Sequence, residues 1–225
     1  MKVVLFGATG MLGRGVLIEA LADPGVESVL SVGRSSCGIV HPKLRELLRL
    51  DLHDYSGLDA DFSGLDACFF CLGVTSAGMS EADYHRVTVD LTLAAAAALR
   101  KHSPNLTFCF ISGVGTDSTE QGRTMWARVK GKAENALLRM GFKAATMFRP
   151  GFIQPVKGVH SRTASYRIFY AILRPFTPLL RLLMPGLVTT SEKLGLAMIR
   201  AARSGYPKPI LGVRDINALA EAGPV

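Results

Sequence analysis

Along the first 150 residues, short apolar runs alternate with longer segments whose apolar positions recur at helical spacing. The runs are VVLF, VESVLSVG, LRELLRL, ACFFCLG, LTFCFIS and AATMFRP. The helical segments include MLGRGVLIEALA, EADYHRVTVDLTLAAAAALRK and RTMWARVKGKAENALLRM. A fully apolar strand must be covered on both faces, and strands separated by helices join naturally in parallel. The rhythm predicts an α/β fold, a Rossmann-type doubly wound parallel sheet in the order 3-2-1-4-5-6, with helices on both faces and right-handed crossovers. PILGV, residues 209–213, is a candidate seventh strand.

After Pro150 the rhythm breaks. Residues 151–225 are expected to form a small C-terminal cap, or substrate region, within a single domain covering 1–225, placed at the carboxyl ends of the strands where such folds bind ligands. Between 165 and 184, Ile168, Phe169, Ile172, Leu173, Phe176, Leu179, Leu180 and Leu183 fall at helical spacing, away from Arg167, Arg174 and Arg181. This is an amphipathic pattern that Pro175 divides in two. A lid, a subunit interface in a homo-oligomer and a membrane-surface helix pair all remain open. Lid or interface is favoured, because such stripes are usually buried.

Charge sharpens the picture locally. The chain carries 26 basic and 18 acidic residues, a net +8, and residues 135–191 hold eight of the basic residues and no acid. Such an excess suits an anionic ligand or surface. Nucleic acid is not expected, since no reader motif accompanies it; a small-molecule substrate or a protein partner is. Cys37, Cys68, Cys71 and Cys109 lie mostly in apolar runs, so neither a disulfide framework nor a metal site is expected. Cys68 and Cys71, three apart on a strand, must point to opposite faces. With MKVVLF reading as a strand and not as a signal peptide, the expected location is cytoplasmic.

GATGMLG, residues 7–13, follows the first strand and opens the first helix. In that context Gly7 permits a tight turn, Gly10 lets backbone approach a pyrophosphate, and Gly13 lets the helix pack closely. Gly7, Thr9, Gly10, Met11, Leu12 and Gly13 are therefore the core of a predicted dinucleotide site. After the second strand comes SVGRSS, with Arg34 where an NAD-binding chain would carry an acid. A guanidinium there suits a 2′-phosphate, with Ser35, Ser36 and Arg14 as further candidate contacts, so NADP(H) is favoured over NAD(H).

These landmarks resemble the atypical short-chain dehydrogenase/reductase superfamily, in the NAD(P)H-binding branch that includes the NmrA-like regulators and the Tat-interacting-protein-like oxidoreductases. The resemblance runs through VGR, DL at 51–52, CLG at 71–73, YHRVTVD at 84–90, ISGVG at 111–115, VKGKAE at 129–134 and FRPG at 148–151. It implies Asp51 and Leu52 beside the adenine, Leu72 and Gly73 beside its ribose, Pro150 to Phe152 beside the nicotinamide half, and Lys130 on the nicotinamide ribose.

The resemblance also implies a catalytic tyrosine, lysine and serine. Lys130 is present and Ser112 is the serine candidate, but Trp126 stands in the tyrosine's place and Thr88 where relatives often have asparagine. Indole has one N–H donor and delivers no proton near neutral pH. Tyr84, Tyr166, Tyr170 or water are substitute acids. Two functions stay open: a weak or unusual NADP(H)-dependent reductase of an apolar carbonyl, or a non-catalytic NADP(H)-sensing regulator or scaffold. Epimerase-like chemistry is less favoured, because it also needs the tyrosine.

Overall fold

The computed structural model describes residues 1–158 and 186–222. The expected stripe at 165–184 lies outside the described residues, as do Tyr166 and Tyr170. Seven strands form one parallel sheet: β1 (Lys2–Phe6), β2 (Ser28–Gly33), β3 (Leu44–Leu48), β4 (Ala67–Phe70), β5 (Thr107–Ile111), β6 (Ala144–Phe148) and β9 (Ile210–Leu211). Their order is β3-β2-β1-β4-β5-β6-β9, so the doubly wound topology and the seventh strand are both present. β7 (Phe152–Gln154) and β8 (Val188–Thr190) pair separately, also in parallel.

The period of two along each strand decides which helix covers which residue. Val3 and Leu5 of β1, with Ala67 and Phe69 of β4, face one apolar layer. Val4, Phe6, Cys68 and Phe70 face the other. The first layer is closed by α1 (Met11–Ala22) and α5 (Ser191–Ser204). The second is closed by α3 (Leu91–His102) and α4 (Met125–Arg139), around the fully buried rings of Phe6, Phe70, Phe108 and Phe110. Each such ring contributes up to about 3 kcal/mol by leaving water. Cys68 belongs to one layer and Cys71 packs on the other, as the strand period requires.

Two glycines let α1 and α5 touch. A Cβ on Gly15 would lie 2.7 Å from Ser191 Cβ, and one on Gly195 would lie 2.9 Å from Glu19 Cγ. Part of the stretch expected to form a cap thus covers the sheet instead, with β9 adding an edge and α6 (Val213–Glu221) packing beside α5. The segment expected as one helix from Glu81 is also different. It runs as α2 (Glu81–His85), a π-helical turn (Arg86–Asp90) and α3. Thr92 Oγ1 donates to the Thr88 carbonyl at 2.6 Å inside that widened turn.

Candidate functional site

Six parallel strands each deliver a candidate residue just past their carboxyl ends: Gly7 after β1, Arg34 after β2, Asp51 after β3, Leu72 after β4, Ser112 after β5 and Pro150 after β6. The parallel register makes this convergence unavoidable, since all six strands finish on one edge.

At the first of these ends, Gly7 has φ 83°, and a Cβ there would sit 2.8 Å from the Cys71 carbonyl group. Its own carbonyl accepts from the Gly10 amide at 2.9 Å. Gly13 is the tightest position of this loop: a Cβ would meet that Gly7 oxygen at 2.1 Å. Gly10 then opens α1 with no side-chain cap and no acid in the first turn. The amides of Met11, Leu12 and Gly13 have no carbonyl behind them to bind, so the helix start is an open anion cradle beside Thr9.

The loop after β2 is held from two sides. Glu46 on β3 accepts from Ser36 Oγ at 2.7 Å and from the Cys37 amide at 2.6 Å, while the Arg14 guanidinium donates to the Cys37 carbonyl. The single Ser36 hydroxyl hydrogen is thereby committed to Glu46, contrary to its expected part as a phosphate donor, while Arg14 keeps further guanidinium N–H groups. Arg34 is exposed and makes no hydrogen bond or ion pair among the described residues. Glu46, the acid nearest this loop in the sheet register, has its oxygens engaged.

Around the adenosine end, Asp51 is exposed and accepts from the His53 amide at 2.8 Å, and Leu52 is buried. Leu72 is half-buried and Gly73 exposed, and nothing lies within 4 Å of a Cβ built on Gly73. On the opposite side the Pro150 carbonyl accepts from the Val114 amide at 2.9 Å, and the Phe152 amide donates to the Leu187 carbonyl at 2.9 Å. The backbone from 150 to 152 is therefore fixed between β5's loop and β8.

Lys130 and Ser112 come together. The ammonium of half-buried Lys130 donates to the Ser112 carbonyl at 3.2 Å and stands 6.0 Å from the centre of the Phe110 ring. Burial lowers its pKa to about 8, against the opposing pull of the Glu134 carboxylate. Trp126 packs half-buried on the second layer, its indole beside Gly115, and makes no hydrogen bond among the described residues. Tyr84, one of the substitute acids, is only 2% exposed within the same layer.

Three features had no individual signal in the sequence. Thr116 shares a 2.8 Å hydrogen bond with Ser112 Oγ. Glu134 is fully buried and bridges to Arg149, joining the VKGKAE and FRPG stretches. Gly131 lets the Asp117 carbonyl come so close that a Cβ would lie 1.8 Å from it, which seats the 115–123 loop on α4. A cavity of about 470 Å³ lies elsewhere, lined by Thr189, Lys193, Arg214, Asn217 and Glu221 among others, and no candidate site residue borders it.

Residues 3–125 match the NAD dependent epimerase/dehydratase family. Among curated proteins, the chain is 30% identical over 151 residues to the protein fmp52-2, mitochondrial, of Aspergillus oryzae, covering 66% of each chain. It is 27% identical over 159 residues to fmp52, mitochondrial, of Emericella nidulans, covering 68% of this chain and 66% of that one. The match thus spans just under two thirds of those relatives' length. Among solved structures, Gre2 of Candida albicans in complex with NADPH superposes with a TM-score of 0.70 at 14% identity, covering 94% of this chain and 78% of that one. MoeE5 in complex with UDP-glucose and NAD gives 0.63 at 15% identity, covering 98% and 81%. The relatives' naming as mitochondrial proteins overturns the cytoplasmic expectation.

Proposed function

The chain belongs to the NAD-dependent epimerase/dehydratase family, and from that premise we propose that it is an NADP(H)-dependent reductase of a small apolar carbonyl compound. The observation that carries the reading is the Arg34 guanidinium at the end of β2, unpaired among the described residues, on the strand edge that also carries the Gly7 to Gly13 cradle. A 2′-phosphate would give that charge a partner. The cradle fits the pyrophosphate because its helix start is uncapped and free of acid.

In this reading Gly10, Met11, Leu12 and Gly13 hold the phosphates, Arg34 selects NADP(H), Asp51 and Leu52 border the adenine, and Leu72 and Gly73 border its ribose. Pro150 and Phe152 form a fixed wall for the nicotinamide, and the Lys130 ammonium positions its ribose. Bound there, the cofactor supplies the hydride. Apolar neighbours such as Trp126 and Val114 favour a substrate without charge. Neither NADPH in a neighbour's crystal nor the family's NAD chemistry decides the preference, which rests on Arg34.

The test is steady-state NADPH oxidation against a panel of aldehydes, ketones and enones, with Trp126→Tyr beside the wild type. Substrate-dependent oxidation is expected, rising about tenfold or more when a phenol acid is restored. One observation favours a second reading, a non-catalytic NADP(H) sensor or scaffold: Trp126 itself, which cannot donate a proton. No turnover by either protein at saturating NADPH decides for the sensor.

A further inference from the structure

Among the described residues the reductase reading leaves one proton without an evident source, and the side chains at the end of β5 narrow the choice. A hydroxyl has a single proton. Thr116 Oγ1 donates to the Gly113 carbonyl at 2.8 Å, so the 2.8 Å contact between Ser112 and Thr116 is donated by Ser112. Ser112 then has lone pairs to offer and no hydrogen. Trp126 holds its N–H too firmly to transfer it, and Tyr84 is buried away from solvent.

We propose that Lys130 is itself the proton donor to the substrate oxygen, a role that rests on the reductase reading above. Its ammonium has three hydrogens, and one goes to the Ser112 carbonyl at 3.2 Å. Two remain, enough for a ribose hydroxyl and the carbonyl being reduced. The Phe110 ring, 6.0 Å away, supports the charged form without consuming a hydrogen. Among the described residues no carboxylate is hydrogen-bonded to the Lys130 ammonium. Glu134, one turn along the same helix, is clamped by Arg149. Charged groups on the surrounding elements are paired in the same way, Glu81 with Arg128 at 2.6 Å and Asp90 with His85 at 3.1 Å.

The step balances. As hydride adds to the carbonyl carbon, the C=O π pair moves onto oxygen, an O–H bond forms to a Lys130 hydrogen, and the N–H pair stays on nitrogen as neutral amine. Water restores the ammonium. A buried amine with a pKa of about 8 is charged at neutral pH yet gives up its proton readily.

Lys130→Arg separates charge from proton delivery, because guanidinium keeps a cation in place and does not deprotonate. Three quantities are to be measured: the NADPH dissociation constant, the single-turnover reduction rate from pH 6 to 10, and the titration of the lysines by carbon-13 NMR after reductive methylation without NADPH. The proposal expects one lysine signal titrating near 8 that vanishes in the variant. It also expects a wild-type rate falling above that pH, and a variant that binds NADPH within about threefold but reduces about 100-fold more slowly or worse. A variant as fast as wild type overturns it, as does a wild-type rate flat to pH 10. Wild type that binds NADPH and reduces no carbonyl sinks the reductase reading itself, and this role with it; that outcome is recognised by the absence of any rate to compare.

Discussion

Lys130 combines a position expected from the sequence with a property that only the fold creates. Its place in VKGKAE marks it as a ribose contact by resemblance, but its depressed pKa comes from burial beside the Ser112 carbonyl. That burial has a measurable sign. The folded pKa is about 8 against an ordinary 10.5, so between those values the unfolded chain holds more protons than the native one. Stability contributed through this group therefore rises as pH climbs from about 8 towards 10.5. Urea midpoints of wild type and Lys130→Met should converge or cross over that window, the wild type gaining on the variant; a constant difference from pH 7 to 10.5 contradicts it. Trp126 is the opposite case. Its identity was plain from the sequence, while its packing beside Gly115 required the structure.

Among the elements, strands and helices were legible because each apolar run must choose a period, and here the runs chose two and the segments 3.6. The π-helical turn at Arg86–Asp90 was not legible, since one extra residue in a turn barely disturbs a helical pattern. Ion pairs between elements were hidden for a different reason. Arg149 and Lys157 counted towards a basic stretch with no acid of its own, yet the fold gives Arg149 to Glu134 and Lys157 to Glu19 and Glu192. Counting along the chain cannot see partners that arrive from α1, α4 and α5. Because Glu134 is fully buried, removing its charge strands Arg149. Glu134→Gln should lower unfolding free energy by about 3 kcal/mol, read by urea denaturation; a loss below about 1 kcal/mol would falsify the structural weight given to the pair.

For the molecule as a whole, the parallel sheet gathers distant parts of the chain onto one edge. Gly7, Arg34, Ser112 and Pro150 are far apart in sequence and come to lie along one edge of the sheet only through the order β2-β1-β4-β5-β6. A ligand spanning that edge should bind the native state alone. NADPH at 100 times its dissociation constant then adds about 2.7 kcal/mol, which raises Tm by about 5–10 °C for a chain of this length. Differential scanning fluorimetry checks this, and an unchanged Tm at millimolar NADPH contradicts a native-state site. The location was the whole-molecule expectation that failed. Thiol state and the opening strand carried no information that distinguishes one internal compartment from another, and the mitochondrial naming of the relatives corrected it.

In the proposed reading the Gly7 to Gly13 cradle and Arg34 together hold a 2′-phosphorylated dinucleotide. Titration calorimetry of NADPH and NADH into wild type and Arg34→Ala tests it most directly. NADPH is expected to bind at least about tenfold tighter than NADH in the wild type, with that preference abolished in the variant and NADH affinity little changed. Equal affinities in the wild type, or a preference that survives the loss of Arg34, would contradict it.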